Sequence, residues 1–209
     1  MTSGLCPPRL AALAGSPSSP VPAQAEASEQ CDLCAEPLHD AHRHLLDLEK
    51  DDLLCACGTC AILLDDRAAG VRHYRLIPGE RRELVGFHLD GLLWAGLGIP
   101  ADLAFFAVSE LGEVSARYPS PAGALHAAVP PDGWRRLAEA NPVLAGLRAD
   151  VEALVVDRAR RPAAHWILPI DDCYRLTAVL REHWSGPGGG DAVRDRIGGF
   201  FAEMKAPRR

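Results

Sequence analysis

The sequence predicts an α+β fold in which a small N-terminal zinc-knuckle module precedes a mixed α+β domain. Five of the seven cysteines lie between residues 31 and 60, strand-like and helix-like segments mix after Val71, and no internal repeat is present. The length of 209 residues and the 48% hydrophobic content suit one good domain plus a small one. We predict a disordered tail over residues 1–28, a cysteine-rich metal-binding module over 29–70 and an α+β domain over 71–209.

The N-terminal 28 residues have the composition of a disordered tail, rich in Ala, Ser and Pro. Their apolar stretch, Leu10–Ala14, is shorter than the roughly 7 to 15 residues of a signal-peptide core. We therefore expect a cytoplasmic protein with reduced thiols, in which Cys6 is an inert exposed thiol.

The cysteine spacing predicts a metal site. Cys31-x2-Cys34 is followed by a second pair, Cys57-x2-Cys60, at a separation a little longer than the roughly 15 to 20 residues usual for zinc modules. Two intervening residues let both thiolates of a pair reach one ion, and two pairs complete a tetrahedron. Disulfides among five clustered cysteines would leave one unpaired. We predict zinc bound by Cys31, Cys34, Cys57 and Cys60, in a zinc-ribbon or treble-clef-like module.

The second pair is predicted at a strand-to-helix corner. Leu53–Cys57 is strand-like, and Cys60–Ala69 has helical composition up to Gly70. The helix N-terminus should lower the pKa of the thiols there. Cys55 should share a strand face with Cys57, as a spare thiolate or an alternative ligand.

Three histidines lie between the two cysteine pairs. In the plain interpretation the three histidines are a solvated cluster. In the sharper interpretation one of them either hydrogen-bonds a metal ligand or is itself a ligand, in a site of three cysteines and one histidine. His44 is the best candidate because it precedes the apolar Leu45-Leu46. His39 and His42 are expected to be exposed.

Strands and helices are predicted in the larger domain from apolar periodicity and breakers. The predicted strands are Tyr74–Ile77, Leu103–Val108, Glu113–Tyr118, Val151–Asp157 and His165–Ile170. For Val151–Asp157 the alternative is the end of a helix. The predicted helices run from Asp132 to Ala140, from Asp171 or Asp172 to His183, and from Asp191 to Lys205. In the last helix the apolar positions predicted to be core are Val193, Ile197, Phe200, Phe201 and Met204.

Composition argues against two classes of function. No run reaches the roughly 18 apolar residues of a membrane span, since Leu92–Phe106 is interrupted by glycine, proline and aspartate. The net charge of −6 argues against a nucleic-acid partner. We expect neither a membrane span nor nucleic-acid binding.

No nucleophile elbow, phosphate loop or H-E-x-x-H motif is present. The segment Tyr118–Gly123 reads as a stiff connector, with ligand binding as the alternative. In the segment Pro169–Tyr174, helix capping explains the two acids and core packing explains Cys173, whereas a catalytic nucleophile would need His165 or His183 as its base. We predict no catalytic residue.

Six segments together resemble an uncharacterised actinobacterial family associated with genes for high-affinity nickel-iron uptake hydrogenases. The segments are Cys31–Cys34, His42–Asp47, Cys55–Cys60, Tyr118–Gly123, Asp150–Val155 and Pro169–Tyr174. The resemblance covers nearly the whole chain from residue 29. It implies a context of hydrogenase assembly or electron transfer and no particular activity.

Two functional hypotheses follow. The first is a non-enzymatic zinc protein that docks hydrogenase subunits or their assembly factors, through the loops at His39–His44 and Tyr118–Gly123. The second is an electron carrier with a rubredoxin-like iron site or an iron-sulfur cluster, an option that the fifth thiol of Cys55 keeps open. Rubredoxin-type knuckles usually carry Gly after the second Cys of each pair. Ala35 and Ala61 stand there, which favours zinc.

Overall fold

The computed structural model describes residues 29–65, 73–120, 123–183 and 190–206, which form two antiparallel sheets with helices. The strands are β1 Arg43–Asp47, β2 Asp52–Ala56, β3 Tyr74–Leu76, β4 Arg82–Glu83, β5 Leu103–Val108, β6 Val114–Ser120, β7 Gly123–Ala128, β8 Glu152–Asp157 and β9 Ala164–Pro169. The helices are α1 Gly58–Asp65, α2 Gly91–Gly96, α3 Pro131–Ala140, α4 Ile170–His183 and α5 Gly190–Met204, with a 3-10 turn at Pro142–Gly146. The predicted mixed α+β class is confirmed. The predicted disordered tail lies outside the described residues, as does the end of the predicted Cys60–Ala69 helix.

The small sheet has the strand order β2-β1-β3. A tight turn joins β1 to β2, and the buried Asp47 holds it, since its Oδ1 accepts the backbone N–H of Glu49 at 3.0 Å and of Lys50 at 3.3 Å. β3 pairs with the other edge of β1, with Leu45 opposite Leu76. The small sheet therefore takes strands from both sides of residue 70.

The large sheet has the order β4-β9-β8-β5-β6-β7 and separates two cores. Because side chains alternate along a strand, Val155 of β8 faces one core and Leu154 the other. The first core lies against α4 and α5, and the second against α2 and α3. All six residues of β8 are buried, as expected for a central strand covered on both faces.

The first core also joins the two sheets. It includes Leu46 of β1 and Ile77, which directly follows β3, and Leu53 of β2 packs against it. The hairpin of the small sheet therefore rests on the same core as α4 and α5. This contact fixes the position of the cysteine-rich segment on the larger sheet.

Helices α2 and α3 touch through glycine. A Cβ atom added to Gly133 would lie 2.0 Å from the carbonyl oxygen of Gly96, so no other residue fits without moving a helix. The Asp90 side chain caps α2 by accepting the N–H of Leu93 at 2.8 Å. Helix α2 is not predicted from the sequence, because its six residues lie in an apolar stretch without a clear helical period.

The five predicted strands of the large domain, and α3, α4 and α5, are all present within a few residues of their predicted bounds. The predicted core residues of α5 are buried, with exposures of 9% or less, which confirms their assignment. Pro119 and Ser120 belong to strand β6 and Gly123 begins β7, so the predicted Tyr118–Gly123 loop is wrong at those positions. Among the described residues, no helix has the length and apolar character needed to cross a bilayer.

Gly199→Ala should stabilise the protein by about 0.5–1 kcal/mol, because Gly199 lies inside α5 and a Cβ there would meet nothing within 4 Å. The midpoint of urea unfolding measures the change. Ala202→Gly, at an exposed position of the same helix, is the matched control and should destabilise by a similar amount. A destabilised Gly199→Ala variant would contradict the open space seen at this position.

Candidate metal centre

The first cysteine pair lies on a tight turn. The N–H of Ala35 donates to the carbonyl oxygen of Cys31 at 2.8 Å, and the N–H of Cys31 donates to that of Glu36 at 2.8 Å. Ala35 adopts a left-handed conformation, with φ of 60°, that glycine usually occupies. This backbone brings the thiols of Cys31 and Cys34 to the same side of the turn.

The second pair lies at the junction between β2 and α1, as the sequence predicted. Cys57 stands between the two elements and Cys60 in the first turn of the helix. The N–H of Cys60 points at the Cys57 sulfur at 3.5 Å. The helix begins at Gly58, so the predicted start at Cys60 is two residues too late.

Asp32 connects the turn of the first pair to the strand before the second pair. Its N–H donates to the carbonyl oxygen of Cys55 at 2.9 Å, and its carboxylate accepts the N–H of Cys55 at 2.6 Å. Both backbone groups of Cys55 thus point away from β1 and are paired with one residue. These two bonds hold the cysteine pairs against each other.

The sulfur atoms of Cys31, Cys34, Cys57 and Cys60 all lie within 4.8 Å of one another. The distance from Cys34 Sγ to Cys57 Sγ is 3.7 Å, and a tetrahedron of zinc–sulfur bonds of about 2.3 Å has edges of about 3.8 Å. Each of these thiols is free of a disulfide. This cysteine cluster can therefore bind a metal ion.

The thiols of the cluster differ in acidity before a metal binds. Burial raises the pKa of Cys31, but several backbone N–H groups, that of Cys57 foremost, outweigh it and lower the pKa to about 6. Burial and hydrogen bonds to the neighbouring thiols raise the pKa of Cys60 to about 12. For Cys60 these effects act in the opposite direction to the lowering predicted from the helix N-terminus. Metal binding must displace protons from the cluster.

Cys55 and two histidines form a separate group. The Sγ of Cys55 and one ring nitrogen each of His42 and His44 lie within 4.8 Å of one another. Cys57 lies beyond the end of β2, so the expected strand alternation does not carry Cys55 into the cysteine cluster. His39 is exposed as predicted, whereas the expectation for His42 is wrong, since its side chain is only 10% exposed and its ring contacts that of His44.

The first turn of α4 holds the segment with two acids and a thiol. The Oδ2 of Asp171 lies 2.6 Å from Nδ1 of His44, and Asp172 accepts two hydrogen bonds from Arg81, at 2.7 and 2.9 Å. Cys173 is fully buried, and burial raises its pKa well above the ordinary value. The two acids thus pair with side chains of other elements, which helix capping does not account for. Cys173 packs in the core, as the plainer interpretation expected.

A catalytic Cys173 would need one of two histidines as its base. The side chain of His183 lies outside what the structure describes, which leaves His165. Its ring lies against Phe87, with centroids 4.9 Å apart, and burial lowers its pKa. It lies in β9, whose last four residues are buried. Nothing in this arrangement activates the buried Cys173.

Comparison with known proteins identifies a family. The model of a family described as "Family of unknown function (DUF5947)" matches residues 30–208, which is most of the chain. No curated protein and no solved structure matches the chain. Since the match includes both cysteine pairs, the histidines and both sheets, the chain belongs to this family of unknown function, DUF5947.

Proposed function

We propose that the chain is a cytoplasmic, non-enzymatic zinc-binding accessory protein that assists the assembly or function of a nickel-iron hydrogenase or a similar metalloenzyme. The convergence of four cysteine sulfurs within 4.8 Å carries the proposal. Four thiolates complete the coordination of zinc and leave no position for a substrate. The ion then has a structural role, with Cys31, Cys34, Cys57 and Cys60 as its ligands.

The order of elements around the cluster supports a treble-clef-like zinc module. A turn carries the first cysteine pair, the β1–β2 hairpin follows, and the first turn of α1 carries part of the second pair. Zinc would tie the turn to the helix across the hairpin. The module's own core supports a need for metal. Over the part of the module that the structure describes, the buried apolar residues of this core are few and mostly small: Leu45, Ala56 and Ala61.

Exposed features of the module support a protein partner. Ile62 and Leu63 on α1 are 74% and 61% exposed, next to the cysteine cluster. Such apolar side chains on a metal-stiffened helix suit recognition of another protein. The resemblance of the sequence to a hydrogenase-associated family is the reason to propose hydrogenase subunits or their assembly factors as that partner.

An iron site remains the second candidate, and one observation favours it. Ala35 adopts the left-handed conformation that a glycine supplies in rubredoxin-type knuckles. The presence of Ala instead of Gly after Cys34 is therefore a weaker argument against iron. The residue after the second pair, Ala61, is helical and buried, unlike a second knuckle. A metal analysis and an optical spectrum of fresh protein distinguish the two, since a four-thiolate iron site is coloured and a zinc site is colourless.

Deleting the gene should abolish or strongly reduce hydrogen uptake by the host and impair maturation of the hydrogenase large subunit. The wild-type gene should restore uptake, and a Cys60→Ser gene should not. A Cys6→Ser gene is the matched control, because Cys6 is not one of the four predicted ligands, and it should restore uptake fully. Unchanged uptake and maturation after deletion would refute the hydrogenase role.

A further inference from the structure

Strand geometry brings Cys55 and the two histidines together. His44 and Cys55 are direct partners across the β1–β2 hairpin, and both backbone groups of Cys55 point outward to Asp32. They form a non-hydrogen-bonded pair, the kind in which opposite side chains lie closest. His42 precedes His44 by two residues, and its Nε2 lies 3.1 Å from the Nε2 of His44.

The outer hydrogen bonds of the two rings determine where their protons lie. Nδ1 of His42 lies 3.0 Å from the carbonyl oxygen of His39, which can only accept, so this nitrogen carries a proton. Nδ1 of His44 donates in the same way to the carboxylate of Asp171, at 2.6 Å. In the neutral rings, both Nε2 atoms then present lone pairs to each other. At 3.1 Å such a pair needs a cation between the nitrogens, either a proton or a metal ion.

The dimensions suit a metal ion. Two metal–nitrogen bonds of about 2.0–2.1 Å at a tetrahedral angle place the nitrogens about 3.3 Å apart, close to the observed separation. Histidine ligands typically donate their other N–H to a carboxylate or a carbonyl group, which is the arrangement of His44 and His42 here. A shared proton would account for the two nitrogens and leave the nearby Cys55 thiol without a role.

We propose that His42, His44 and Cys55 form a second metal site, distinct from the cysteine cluster. Two imidazoles and one thiolate select divalent ions of the later first-row transition series, such as Co²⁺ and Zn²⁺, over Mg²⁺ or Ca²⁺. Three protein ligands leave the fourth position of a tetrahedral ion open. This inference stands independently of the proposed function.

The surroundings of the second metal site favour a bound ion that exchanges with ions in solution. His42 and His44 line a cleft of 830 Å³, so an ion between them is reached from this cleft. The cleft carries more carboxylates than guanidinium groups: Asp40, Asp171, Asp172 and Glu203 against Arg81 and Arg175. This balance attracts a cation and disfavours an anionic substrate. The second site therefore takes up and releases a metal ion, whereas the cysteine cluster holds its own.

Cobalt titration of the metal-free full chain tests the proposal. The wild type should bind two equivalents of Co²⁺, and His42→Ala, His44→Ala and Cys55→Ser should each bind one. The second equivalent should add a thiolate-to-cobalt charge-transfer band that Cys55→Ser lacks. His39→Ala is the matched control and should bind two equivalents, because His42 uses only the backbone carbonyl of His39.

A more conservative substitution distinguishes loss of the metal site from misfolding of the variant. Asp171→Asn preserves size and an acceptor for His44, and should weaken the second equivalent roughly 10- to 100-fold while the first is unchanged. A wild type that binds a single equivalent of Co²⁺ or Zn²⁺ would overturn the proposal and leave a shared proton between the rings. A second equivalent that survives both histidine substitutions would overturn it as well. Neither result bears on the cysteine cluster, whose ion is counted as the first equivalent.

Discussion

Cys60→Ser should remove the metal from the cysteine cluster and unfold the predicted module, residues 29–70. The binding free energy of a structural zinc ion is about 10–16 kcal/mol and becomes folding free energy when the apo form is unfolded. The small core around Leu45 cannot replace it. Metal analysis should find the cluster empty, and hydrogen exchange should show loss of protection in β1 and β2. The amides of β8 should stay protected, because that strand is buried between two cores of its own.

Cys55→Ser is the control for this experiment. Its thiol lies with His42 and His44 and outside the group of four sulfurs, so the cluster should retain its ion. Full metal occupancy in Cys60→Ser would show that the ligand assignment is wrong. Loss of the cluster's ion in Cys55→Ser would make Cys55 one of its ligands.

Asp172→Ala should destabilise the protein by about 3–5 kcal/mol, the cost of leaving one member of a buried ion pair alone. The side chains of Asp172 and Arg81 are 3% and 11% exposed, and two hydrogen bonds join them. Removing the carboxylate leaves the guanidinium group of Arg81 buried without its partner. The midpoint of urea unfolding, with an unchanged slope, measures the loss.

An exposed ion pair provides the matched control. Asp132, which is 79% exposed, pairs with Arg135, and Asp132→Ala should cost no more than about 1 kcal/mol. The double substitution Arg81→Met with Asp172→Leu should recover much of the loss, because it leaves no buried charge unpaired. An equal loss of unfolding free energy in Asp172→Ala and Asp132→Ala would show that the buried ion pair matters no more to stability than an exposed one.

Local patterns account for what the sequence predicted. Strands β5, β8 and β9 and the buried face of α5 follow from apolar periodicity, which neighbouring residues determine by themselves. The grouping of the four cysteines follows from spacing in the same way, since two residues between thiols force a shared turn. These features need no knowledge of distant segments.

Features that depend on distant partners could not be predicted. Asp171 lies 127 positions after His44, and no periodicity joins them. The low exposure of His42 depends on the same arrangement, because its ring packs on that of His44. The two-residue strand β4 and the six-residue helix α2 are too short to leave a period, and tertiary contacts determine them.

The hydrogen bonds between Asp32 and Cys55 also affect how the protein behaves in concentrated solution. β2 is an edge strand of the small sheet, and Asp32 occupies the outward N–H and C=O of Cys55. Unpaired backbone N–H and C=O groups at a sheet edge are a template for pairing with another chain. The turn of the first cysteine pair therefore blocks pairing of β2 with a second molecule at Cys55. When the cluster loses its ion and this turn opens, β2 becomes available for intermolecular pairing. Chelators should thus make the protein aggregate through this edge before its larger sheet unfolds.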